Sequence, residues 1–93
     1  MNKVGRFFVS YDHDSDVLYV NLRREVAAKG IEDVGGIVWR YAEDGSILGM
    51  TLLDFRDFWR SHKPSLADKM SRQFGISFEQ ATNVIDSVEP DSR

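Results

Sequence analysis

The run Ser10-Tyr11-Asp12-His13-Asp14-Ser15-Asp16-Val17-Leu18-Tyr19-Val20-Asn21-Leu22 constrains the fold more than any other stretch of the chain. Alternating apolar residues flank a segment, Asp12 to Asp16, that is rich in carboxylates. Asp side chains accept hydrogen bonds from backbone N–H groups a residue or two ahead, so this segment reads as a turn between two strands. Arg6 to Tyr11 is expected to form the first strand and Val17 to Leu22 the second. Leu18, Val20 and Leu22 are uniformly aliphatic and mark the core face of the second strand.

A second strand–turn–strand signal follows. Ile37 to Tyr41 and Ile47 to Leu53 read as strands, with Asp44-Gly45 between them. Glycine tolerates the positive φ of a tight hairpin turn, so the pair is a strong hairpin mark. Gly49 inside the fourth strand predicts a bulge or a close backbone approach. Residues 23–35 read as a connection that wraps the sheet, with a short strand near Ala27.

After Leu53 the apolar period lengthens from two to about 3.6 residues. Asp54 is expected to cap a helix carrying Phe55, Phe58 and Trp59, which Pro64 ends. Ser65 with Asp68 resembles a cap for a second helix (Leu66, Met70, Phe74), stopped by Gly75. Ser77 with Gln80 fits a capping box for a third, with Phe78, Ala81, Ile85 and Val88 inward. Glu89 to Arg93 is expected to fray. The fold class is therefore α+β: an antiparallel sheet of about four strands in two hairpins, then two or three short C-terminal helices. The 93 residues make one domain, with 1–53 forming the sheet and 54–88 a helical tail packed on it.

Composition narrows the function classes. There is no cysteine, so disulfides, thiolate metal sites and cysteine nucleophiles are all absent. That fits a reducing, cytoplasmic setting. No apolar run approaches the roughly 20 residues that span a bilayer, and the segment after Arg6 is too short for a signal-peptide core. Residues 1–53 carry six Lys/Arg against eight Asp/Glu, and residues 54–93 six against seven. Neither half is a basic platform for nucleic acid.

The pattern Tyr11-Asp12, Asp16, Leu18-Tyr19-Val20, Leu22, then Asp44-Gly45, Ile47-Leu48-Gly49-Met50 and Leu53-Asp54 resembles domain of unknown function 2283, a family of small, mostly bacterial proteins. The resemblance covers about residues 8–55. It implies a small β-rich module without an established activity, and points to protein binding through members that partner in toxin–antitoxin-like gene pairs. Thr51 departs from the family, where an acidic residue is expected. The helical tail lies outside the resemblance.

Asp12, Asp14 and Asp16 have the spacing that opens a calcium loop, but Val17 and Arg23 stand where that loop needs Gly and Glu. A hairpin turn with solvated carboxylates is the better reading; small-molecule or cation binding at Asp12–Asp16 is the second alternative. His13 with Ser10 and Ser15 has the ingredients of a nucleophile and base, but neighbours on one tight turn splay apart. His62 is read as a cationic cap at a helix end. No catalytic residue, cofactor site or metal site is assigned, and the chain is read as no enzyme.

Two binding readings remain. In the leading one, the chain is an interaction module or homodimer that buries a patch near Tyr19, Trp39 and Tyr41, or adds a strand at an open sheet edge. In the alternative, residues 65–88 form a helix-turn-helix whose Ser77, Gln80, Thr82 and Asn83 read bases. Against the latter, no Lys or Arg lies between Ser77 and Val88 to hold phosphates.

Overall fold

The computed structural model describes residues 2–88; the fraying expected from Glu89 to Arg93 lies outside the described residues. Six strands form one antiparallel sheet: β1 (Asn2–Val4), β2 (Phe7–Asp12), β3 (Val17–Asn21), β4 (Lys29–Glu32), β5 (Ile37–Tyr41) and β6 (Ile47–Leu53). Their order across the sheet is β1-β2-β3-β6-β5-β4. The two expected hairpins, β2–β3 and β5–β6, are therefore joined side by side through β3 and β6 at its centre. A 3-10 helix (Trp59–His62) leads into α1 (Lys63–Phe74), and α2 (Phe78–Asp86) follows.

The sheet thus has six strands where about four were expected. The additional strands are the two edges. β1 is only three residues long. β4 reads Lys-Gly-Ile-Glu and is exposed throughout. Neither carries enough alternating apolar residues to announce itself, and each forms because a hairpin partner offers it a ladder. The wrapping connection of residues 23–35 contains its strand at Lys29–Glu32, a little beyond Ala27.

Gly49 behaves as its position in a strand suggests. The β5–β6 register shifts between Arg40, opposite Gly49, and Tyr41, opposite Ile47. A Cβ on Gly49 would sit 2.5 Å from the Val20 carbonyl oxygen and 2.6 Å from Asn21 Oδ1. Only glycine lets the Arg40 side chain and its neighbours close over the strand here.

The start of the helical tail differs from expectation. Asp54 has φ +58° and caps no helix. Residues 55–58 form a turn, and Trp59 opens a 3-10 helix. Pro64 stands in the first turn of α1 rather than ending a helix, because its missing N–H costs nothing there. The N-cap of α1 is His62, not Ser65, and no side chain caps it. The other two signals hold. Gly75 closes α1 in the left-handed conformation, and Ser77 and Gln80 form both bonds of a capping box on α2.

One face of the sheet and the helices share a core. Phe7, Val9, Leu18, Val20, Ile37, Trp39, Met50 and Leu52 come from the sheet; Phe55, Trp59, Leu66, Met70, Phe74, Ala81, Val84 and Ile85 come from the tail. Phe74 packs edge-on against both Phe7 (5.1 Å between ring centres) and Trp39 (5.8 Å). No helix of the described residues is long and apolar enough to cross a membrane.

Candidate functional site

The strand registers set the geometry of the second sheet face. Lys3, Phe8, Asn21, Gly49, Arg40 and Gly30 form one row across all six strands. Two residues along, Ser10, Tyr19, Thr51, Val38 and Glu32 form the next. Side chains alternate between faces along a strand, and none of these residues belongs to the core shared with the helices. The helices therefore cover one face and leave this one open. Phe8 and Val38 are half-buried on it, and Tyr19 is 36% exposed. Leu53, one step beyond the second row, is 43% exposed. It borders a groove of about 380 Å³ lined also by Val34, Phe58 and Trp59.

Polar groups on this face are held in place. The Arg40 guanidinium donates to Asn21 Oδ1 across Gly49. Its Nε is buried and has no hydrogen-bond partner, and burial lowers the arginine pKa. Lys3 Nζ lies 5.1 Å and the Arg24 guanidinium 4.7 Å from the centre of the Phe8 ring, both within cation–π range.

The three expected interface residues do not share a face. Tyr19 is on the open one. Trp39 is core, 3% exposed, and its indole N–H donates to Asp33 Oδ2 at 3.1 Å. Tyr41 lies on the helix side, half-buried, and its hydroxyl approaches Gln73 Oε1 at 3.4 Å. Trp39 and Tyr41 do share a strand face with Ile37, but the helices cover that face. Phe8 and Val38 take their places beside Tyr19. The pairing register could have found them, since Val38 falls in the row of Tyr19 and Phe8 in the row beside it on the same face.

The Asp12–Asp16 turn is not a loop of solvated carboxylates throughout. Asp12 is exposed and accepts from Asp14 N, Ser15 N and Ser15 Oγ, bonds that lower its pKa. Asp16 is buried, at 5% exposure and φ +59°. Its Oδ1 accepts from the Tyr11 hydroxyl (2.6 Å) and Arg56 N (2.7 Å), and its Oδ2 from Asp57 N (3.1 Å). Its own carbonyl accepts from Phe55 N. Asp16 thus satisfies the backbone where the sheet hands over to the helical tail, the task expected of Asp54. Burial pushes its pKa up, but the bonds from Tyr11, Arg56 and Asp57 outweigh it and the pKa is lowered. Burial, then the bond to Asp16, pushes Tyr11 up to about 12.

Carboxylate oxygens of Asp16, Asp54 and Asp57 lie within 4.8 Å of one another. Asp16 already accepts three protein donors, which explains its burial without a cation. His13 is exposed and packs edge-on against Tyr11 at 4.7 Å between ring centres. His62 stacks on Phe58 and places Nδ1 2.9 Å from the Phe58 carbonyl. Phe58 precedes the 3-10 helix, so this contact meets the carbonyl at the start of that helix, and α1 follows directly from Lys63. Of the four candidate base readers, Ser77 and Gln80 are engaged in the capping box and the Thr82 hydroxyl donates to the Phe78 carbonyl; Asn83 is exposed.

A family model described as protein of unknown function (DUF2283) matches residues 9–56. That span runs from β2 through β6 and ends on Arg56, whose N–H reaches back to Asp16. No curated protein and no solved structure matches the chain.

Proposed function

The chain belongs to the DUF2283 family of proteins of unknown function, and from that premise we propose that it is a non-enzymatic interaction module that works by covering the open face of its sheet. The observation that carries this reading is the uncovered face itself. It carries aromatic and aliphatic residues (Phe8, Tyr19, Val38) and an arginine, Arg40, tied to Asn21. Aromatic residues and arginine are the types enriched in the centre of protein interfaces. The spending of Asp12 and Asp16 on turn and backbone bonds further supports a role without catalysis.

A photo-crosslinking amino acid placed at Tyr19 tests the reading in cells that produce the protein. The control position is Glu79, exposed on α2. A protein adduct is expected from position 19 and none from position 79. No protein adduct at position 19 overturns the proposal.

A further inference from the structure

We propose that the occupant of the open face is a second copy of this chain, packed face to face with its strands antiparallel across the interface. The inference rests on the interaction reading above and names the partner.

Charge sets the orientation. At one end of the face, Lys3 and Arg24 are both held over Phe8. At the other end of the same strand, four residues from Phe8, stands Asp12, exposed and held by three turn bonds. Alternation puts Asp12 on the same face as Phe8 and Ser10. Homodimers are mostly two-fold, so each patch must meet itself or its complement. A two-fold axis running across the strands, through the row Ser10–Tyr19–Thr51–Val38, carries the Phe8 end of one copy onto the Asp12 end of the other. Lys3 and Arg24 then face the partner's Asp12, and the contact is made twice. Tyr19 and Val38 each meet their own counterpart in the middle, and the exposed Leu53 falls over the partner's Gly49, where the Arg40 guanidinium lies. Glu32 meets its own counterpart only at the sheet edge, where water screens it.

The other face-to-face arrangement has its axis along the strands. It would lay β2 of one copy over β5 of the other and set Arg24 against the partner's Arg40. Like charges facing each other oppose that arrangement, so the same residues favour one orientation and disfavour the alternative. Aligned sheets pack about 10 Å apart with strands within about 30° of alignment, which the antiparallel arrangement satisfies.

The area is sufficient for a modest dimer. Six strands at about 4.8 Å spacing and five residues at about 3.4 Å give a flat footprint of about 500 Å². Side-chain relief brings this toward the roughly 800 Å² per partner of a standard interface.

Sedimentation velocity on the purified full chain, over a range of concentrations at low and high salt, tests the inference. A dimer of the 10.7 kDa chain is expected, weaker at high salt. Tyr19→Glu should leave a folded monomer by circular dichroism. Arg24→Gln should raise the dissociation constant roughly tenfold, and so should Asp12→Asn, which keeps an acceptor for the turn. The double variant should lose little more than either single one, because the two groups act on each other. A strict monomer at every concentration overturns the inference, as does a dimer indifferent to Tyr19→Glu or to both charge changes. A monomer whose Tyr19 crosslink in cells has the mass of a different protein overturns the second copy and leaves the interaction reading standing. A monomer with no such crosslink overturns both.

Discussion

Asp16 shows how one side chain can hold two parts of a fold together. It stands in a hairpin turn yet bonds the backbone of residues 40 and 41 positions later. Hydrogen bonds to a buried carboxylate are worth more than neutral ones, and removing the acceptor orphans the Tyr11 hydroxyl and two N–H groups. Asp16→Ala should therefore cost about 3 kcal/mol at neutral pH by urea unfolding. The pH dependence follows from the lowered pKa. A carboxylate with its folded pKa below the ordinary 3.8 stabilises fully above that value and loses its contribution as pH falls through the folded pKa. The gap between the native chain and Asp16→Ala should be constant near neutrality and narrow as pH drops below the ordinary carboxylate range. A gap that widens on acidification would contradict the assignment. In the sequence Asp16 is indistinguishable in kind from Asp12 and Asp14; its burial depends on a turn that starts at Asp54, far along the chain.

At the scale of elements, local chemistry was legible wherever a bond is made within a few residues. The capping box of α2 is an example: Ser77 Oγ accepts from Gln80 N, and Gln80 Oε1 accepts from Ser77 N, each at 3.0 Å. Ser77→Ala should cost about 1 kcal/mol in thermal or chemical unfolding, with no change in association because α2 lies away from the open face. The helix expected after Asp54 failed for the complementary reason. Its cap comes from Asp16, across the molecule, so the chain turns first and becomes helical only at Trp59. The edge strands β1 and β4 were illegible or nearly so, since short polar strands take their conformation from the neighbour that pairs with them.

For the whole molecule, the core is divided between the family-matched region and the tail. Phe74 of α1 touches Phe7 and Trp39 from opposite halves of the sheet, and without the tail that whole apolar face meets water. Burying a large apolar side chain is worth about 2 kcal/mol, so losing the nine tail residues of the core, seven of them large, removes about as much as the whole stability of a typical domain. A chain cut after Leu53 should fail to give a cooperative unfolding transition and should aggregate; a soluble, cooperatively folding fragment would show that the sheet needs no cover. The site was only partly legible at this scale. Aromatic residues could be picked out, but which of them face outward depends on which side the helices take. Trp39 and Tyr19 exchange roles on that one choice.

The sequence by itself determined the two hairpins, the family and the helix signals at Gly75, Ser77 and Gln80, because each depends on interactions between near neighbours. Tertiary structure alone decided the join of β3 to β6, the burial of Asp16, the two edge strands and the uncovered face. Each of those depends on groups brought together from distant parts of the chain, where no local periodicity carries the information.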